Sequence, residues 1–320
     1  MLKPSLILLS LVTLCSCATK PDNVRPLDDS YTISQRYDGY KDKYAGIEWP
    51  VTEFMAGQKV YFDQRYEKIG TRELRIDTFL PPPNINKHKA ILLVHGGAWR
   101  SGSKSHFYNL ANRMAQKGYV VFIPEYRLSP EIGYPAGLFD INNAIVWAKS
   151  HAAEFDFDKN ELAIGGASSG GQMAALIAYT YDTDLFKEAG QDTKVSALID
   201  LDGVLDFTTP LALKYENAAK SKSVAAKWLG GSMEQVPNKW HEASATTHLG
   251  KNSPPTLIIS SGIERFTAGK EEVFQTLNSL KIRNDYYEFK DTPHDIWLFE
   301  PYLGKIADKI DGFLSAETAK

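Results

Sequence analysis

A chain of 320 residues, 43% hydrophobic and 12% aromatic, is long enough to bury one large α/β core or two modest ones. Its net charge of −3, with no dense Lys/Arg cluster, excludes a basic stripe for nucleic acid. Its only two cysteines, Cys15 and Cys17, lie near the N-terminus, which excludes an internal disulfide or a thiolate metal site in the domain that follows.

The chain opens on "MLKPSLILLSLVTLCSC", one lysine followed by a short apolar run, which reads as a signal peptide over residues 1–17. Leu14-Cys15-Ser16-Cys17 resembles the lipobox of bacterial lipoproteins. That resemblance implies cleavage before Cys17, lipid on its thiol, and an exported protein anchored at the periplasmic or outer face of a membrane. An ordinary secreted protein or an anchoring helix is the alternative. Residues 18–58 are polar, without a sustained apolar period, and suit a tether plus an N-terminal arm.

From residue 59 to 320 the pattern is that of a single α/β domain. "LRIDTFL" is strand-like and ends at three prolines; "AILLVHGG" is a buried strand running into glycines. "FYNLANRMAQKG" is an amphipathic helix stopped by Gly118. "YVVFIPEYR", "ELAIGG", "VSALIDLDG", "PPTLIISSG" and "NDYYEFKD" follow as strands. Between and after them come helical stretches, among them "LFDINNAIVWAKSHAAEF", "SGGQMAALIAYTY", "EEVFQTLNSLK" and "YLGKIADKIDGFL". Apolar runs without alternation, separated by helices, predict a mostly parallel sheet covered on both faces. Residues 206–250 break the rhythm with a weaker, helix-leaning insertion, expected to form a small cap.

The chemistry concentrates at Gly166-Ala167-Ser168-Ser169-Gly170-Gly171, a match to G-x-S-x-G between a predicted strand and a predicted helix. In such an elbow the serine sits on a strained turn with its hydroxyl raised above the sheet. Centring the motif on Ser169 would put Ala167 where the first glycine belongs, so Ser168 is the better nucleophile. A helix-capping serine in a glycine-rich turn is the bland reading.

Upstream, "VHGGAW" ends a strand in glycines that can turn backbone N–H groups into open space. Gly97 and Ala98, with the Ser169 amide, are the expected oxyanion donors. His95 is expected to fix that loop rather than to move protons. Of seven histidines, His294 stands just after the last predicted strand, where a general base belongs. The expected acid is Glu264, the first carboxylate past "TLIISSG". Glu271 is the alternative, with Asp202 and Asp206 after the preceding strand as outside candidates. No metal or organic cofactor is needed for this chemistry. Trp228, Trp240, Trp297 and Phe299 either line a subsite or, more simply, belong to the core.

"HGGAWRSGSK", "YRLSPE" with "YPAG" and Asp140, "GASSGG" and "HDIWLF" resemble the α/β-hydrolase serine esterases. "RFTAG" and "HDIWLFEPY" bring the chain nearest to the bacterial acetylxylan and feruloyl esterase-like branch, related to the hormone-sensitive-lipase-like esterases. The resemblance implies an α/β-hydrolase fold, with Ser168 as nucleophile, His294 as base and the Gly97–Ala98 loop as oxyanion hole. It implies acetyl or feruloyl esters of plant-wall carbohydrate as substrates, with no cofactor. The carboxylate departs from the branch, which keeps Glu271 in play. An arylformamidase-like hydrolase, a general small-ester carboxylesterase and a non-catalytic surface-binding protein are the competing readings.

Overall fold

The computed structural model describes residues 28–316. The expected leader, the lipidation site Cys17 and the first part of the tether lie outside the described residues.

Eight strands form one sheet: β1 (Lys59–Ile69), β2 (Arg72–Leu80), β3 (Lys89–Val94), β4 (Tyr119–Pro124), β5 (Leu162–Ala167), β6 (Leu198–Leu201), β7 (Thr256–Ser260) and β8 (Asn284–Glu288). Their order is β1-β2-β4-β3-β5-β6-β7-β8. β1 and β2 form an antiparallel hairpin joined antiparallel to β4, and from β4 to β8 every pairing is parallel.

The uniformly apolar strands serve two cores at once, because successive side chains of a strand point to opposite faces. Ala90, Leu92 and Val94 of β3 enter one layer, while Ile91 and Leu93 enter the other. The first layer is closed by α3 (Ala136–Ser150), α4 (Ser169–Thr180) and α8 (Lys270–Ser279). The second is closed by α2 (Tyr108–Gln116) and α9 (Tyr302–Ser315), whose Leu303, Ile306, Ala307 and Ile310 repeat at helical spacing. Every residue of α4 is buried, which explains why its sequence is apolar and small all round.

β3 and β5 are neighbours, yet the chain leaves them toward opposite faces, into α2 and α4. That reversal opens a crevice beyond their carboxyl ends, the usual ligand position in such sheets.

Two segments outside this frame shape the crevice. Residues 206–250 fold into α5 (Pro210–Ala219), α6 (Val224–Leu229) and α7 (Pro237–Glu242), anchored by buried Trp228 and Trp240. The N-terminal segment forms α1 (Ile33–Tyr40), begun by a Thr32–Gln35 capping box. It does not hang free, since Tyr31 and Ile47 are buried in the second core and Glu48 exchanges two backbone hydrogen bonds with Glu300.

Candidate active site

Ser168 lies between β5 and α4 with φ 52° and ψ −122°, outside the regions an ordinary serine prefers. Its N–H donates to the Leu201 carbonyl at 2.8 Å, and its own carbonyl accepts the Gln172 N–H at 3.0 Å. The glycines around it are required by contact. A Cβ at Gly170 would stand 2.0 Å from the Val94 carbonyl oxygen, and one at Gly166 would stand 2.2 Å from that of Gly170. Ser168 faces a cleft of about 560 Å³, whereas Ser169 is buried as the first residue of α4. The elbow therefore presents Ser168.

The loop after β3 faces it. Gly97 (φ 129°), Ala98 (φ 56°) and Trp99 (φ 58°) run with positive φ, and Gly97 and Ala98 line the same cleft. Among the described residues, the N–H groups of Gly97, Ala98 and Ser169 donate to no protein acceptor. Trp99 compensates for the strain by packing. Its Nε1–H donates to Gln172 Oε1 at 3.0 Å, and its ring stacks on Trp228 at 4.7 Å and 10°. His95 is buried against Tyr126 and hydrogen-bonded through Nδ1 to the Gly96 carbonyl. Burial lowers its pKa to about 4, so it is neutral and structural.

His294 follows β8 and reaches the opposite side of the cleft. Its ring stacks on Phe266 at 3.5 Å and meets the edge of Trp297 at 5.1 Å. Its Nδ1 is 2.9 Å from Asp202 Oδ2, and its Nε2 is buried with no hydrogen-bond partner among the described residues.

The carboxylate at His294 is thus Asp202, a correction to the expected Glu264. Glu264 is exposed at the start of a 3-10 turn, and Glu271 is exposed beside Lys270. Asp206 is turned into the insertion, where Thr208 and Thr246 donate to it. The physical reason lies in the register. β6 and β7 run parallel with Leu201 opposite Ile259, so their carboxyl ends stand side by side beneath the His294 loop. At the end of β7 the backbone does the work instead, as the Ser261 N–H donates to Asp202 Oδ1 at 2.9 Å. The signal available in sequence was "LIDLDG", an acid at a strand end followed by glycine. Asp200, two residues earlier, is also fully buried, and burial, then the charge of Asp202, pushes its carboxyl well above the usual range. Burial thus favours the neutral form of the Asp200 carboxyl.

Residues 76–266 match the BD-FAE family. The chain belongs to that family. Beyond it, this BD-FAE chain is similar to the esterase LipC of Mycobacterium tuberculosis, at 28% identity over 53% of this chain and 42% of that protein. It therefore spans about two-fifths of that curated relative's length. Among solved structures it resembles a truncated carbohydrate esterase from gut microbiota, with a TM-score of 0.67 and 17% identity over 84% of this chain and 98% of that one. It also resembles an esterase from the Planctomycetes species Thermogutta terrifontis, with a TM-score of 0.62 and 20% identity over 81% and 92% of the two chains. The sheet and its helices are those of the α/β-hydrolase fold. Within the BD-FAE match fall the elbow, the Gly97–Ala98 loop and Asp202, while His294 lies beyond it.

Proposed function

We propose that the protein is a serine carboxylic-ester hydrolase that deacylates carbohydrate. One observation carries this reading: a serine on a strained elbow, an imidazole tied to a buried carboxylate, and unengaged backbone amides share one cleft.

In this reading His294 Nε2 takes the proton of Ser168 Oγ as that oxygen attacks the ester carbonyl. Asp202 holds the imidazole by its Nδ1–H and stabilises the imidazolium that forms. The amides of Gly97 or Ala98, with that of Ser169, receive the oxyanion, each worth on the order of 10²–10³ in rate. Collapse expels the alcohol, protonated by His294, and leaves an acyl-Ser168 ester. Water, deprotonated by the same histidine, then releases the acid.

Support for a carbohydrate ester comes from the carbohydrate esterase among the structural neighbours and from the polar character of part of the cleft. Treatment with a fluorophosphonate probe is expected to label Ser168, and Ser168→Ala is expected to lose both the label and hydrolysis of p-nitrophenyl acetate. Hydrolysis by that variant at the wild-type rate would reject the assignment. The leader supports export with lipid on Cys17. Incorporation of a fatty-acid label that persists in Cys17→Ser would reject that part.

A further inference from the structure

The cleft has two chemically different walls. One comes from the insertion and its neighbours and is apolar at Val204, Phe207, Ala212, Val224 and Phe266, with Tyr215, Glu216 and Arg265 also lining it. The other comes largely from the N-terminal arm, through Ser30, Tyr31, Arg36, Tyr40 and Tyr44, with Arg100 beside them. The arm wall therefore offers hydroxyls, a guanidinium and aromatic faces.

This wall is fastened at the catalytic edge. Asp295, next to His294 and 2% exposed, accepts the Tyr31 hydroxyl at 2.9 Å on one oxygen and the Tyr40 hydroxyl on the other. The Arg36 Nε stands 3.5 Å from the same carboxylate, and its guanidinium lies over the Tyr31 ring. Asp28 pairs with Arg100, whose guanidinium holds its carboxyl down at about 2. Tyr44 is different, because its ring packs edge-on against Tyr40 while its hydroxyl has no partner among the described residues.

An ester of a hydroxyl-rich alcohol also has two unlike ends. With the carbonyl placed between Ser168 and the oxyanion amides, the acyl chain and the alcohol leave the centre in different directions. Apolar surface suits the acyl chain, since burying it there costs no hydrogen bonds. Phenols, guanidinium and ring faces suit a sugar, whose hydroxyls need partners and whose C–H face stacks on aromatic rings.

We propose that residues 30–44 form the alcohol-side subsite, that its ligand is a sugar ring, and that Arg36 and Tyr44 determine preference for it. This rests on the ester-hydrolase reading above.

The test compares two acetate esters that differ only in alcohol, methyl acetate and an acetylated xyloside, and takes the ratio of their kcat/KM values. Wild type is expected to favour the xyloside. Arg36→Ala and Tyr44→Ala are expected to lower that ratio at least about tenfold, and Tyr44→Phe to lower it less, since only a hydroxyl is lost. Val224→Phe, on the opposite wall, is expected to shorten the acyl chain accepted among p-nitrophenyl esters and to leave the ratio in place. A wild-type ratio near one, or arm variants that lose both substrates equally, would overturn the subsite alone. An arm variant that shifts acyl-length preference would overturn the assignment of the walls. Wild-type protein inert on every ester would overturn the ester reading and the subsite with it.

Discussion

Asp202 and Asp200 sit two positions apart on one short strand and its end, yet their hydrogen-bonding environments differ. Asp202 adopts a φ of 53°, a strained setting for a non-glycine residue, and both of its oxygens are engaged, by His294 and by the Ser261 amide. Asp200 has a hydrogen bond from the Gly203 N–H to one oxygen and none to the other, so the neutral form is favoured. Replacement by amide therefore separates them. Asp202→Asn is expected to lower kcat by about 10³–10⁴, because Asn cannot hold the required tautomer or stabilise the imidazolium. Asp200→Asn, isosteric with a protonated acid, is expected to leave kcat and its pH profile near wild type, and so is Glu264→Gln at the surface. Steady-state kinetics on p-nitrophenyl acetate check all three. A severe loss in Glu264→Gln with a mild one in Asp202→Asn would reverse the assignment. At this scale the serine and histidine were legible from their local motifs, because an elbow and a post-strand loop are short-range features. The acid was not, because its choice depends on which side chain past the ends of two neighbouring strands is turned toward the imidazole.

The loop carrying Gly97 and Ala98 holds positive φ at three successive residues, a conformation that needs support from outside the loop. Gln172 provides it, receiving the Trp99 N–H and donating its own amide to the Ala243 carbonyl at 2.8 Å. One side chain on α4 thereby ties the Gly97–Ala98 loop to the insertion. Gln172→Ala leaves the buried Trp99 N–H unpaired and is expected to reduce kcat by roughly 10–100-fold through misplaced amides, with a smaller effect on KM. A fall in KM-linked binding with kcat intact would count against this role. The elbow itself is less forgiving. Gly170→Ala forces a methyl against the backbone of β3 and is expected to cost about 3 kcal/mol or to prevent folding, read as a shift in the urea midpoint. The glycines of the elbow were legible as spacing. The Trp99–Gln172 bond, spanning 73 residues, was not, because no local pattern encodes the meeting of a loop and a helix face.

For the molecule as a whole, buried histidines set part of the acid response. His106 lies under Tyr31, and burial holds its pKa down to about 3. The unfolded chain binds a proton at this residue near pH 6.5, while the folded one does not until about 3, so stability from this residue is present above pH 6.5 and is lost as pH falls through that interval. His95 acts in the same direction down to about 4, whereas Asp200, its carboxyl pushed up by burial, opposes them above the ordinary carboxyl range. The difference between wild type and His106→Gln isolates one group. Between pH 6 and 4 the variant's stability is expected to decline less steeply, by about 1.4 kcal/mol per pH unit, in urea titrations at several pH values. Parallel slopes would show that His106 titrates alike in both states.

The sequence alone determined the layered parallel sheet, since strands apolar on both faces can be buried only between helices. It also determined the elbow and the facing glycine loop, since a Cβ on Gly166, Gly170 or Gly97 would stand 2.0 to 2.2 Å from a backbone oxygen. Two decisions belonged to tertiary structure. The carboxylate went to Asp202 because β6 and β7 finish side by side and Asp202, the first residue past β6, meets the imidazole, while Glu264 stays exposed in the turn past β7. A polar N-terminal segment became a wall of the cleft because its two phenols close on Asp295, 255 and 264 residues away, a pairing that only the folded chain brings within reach.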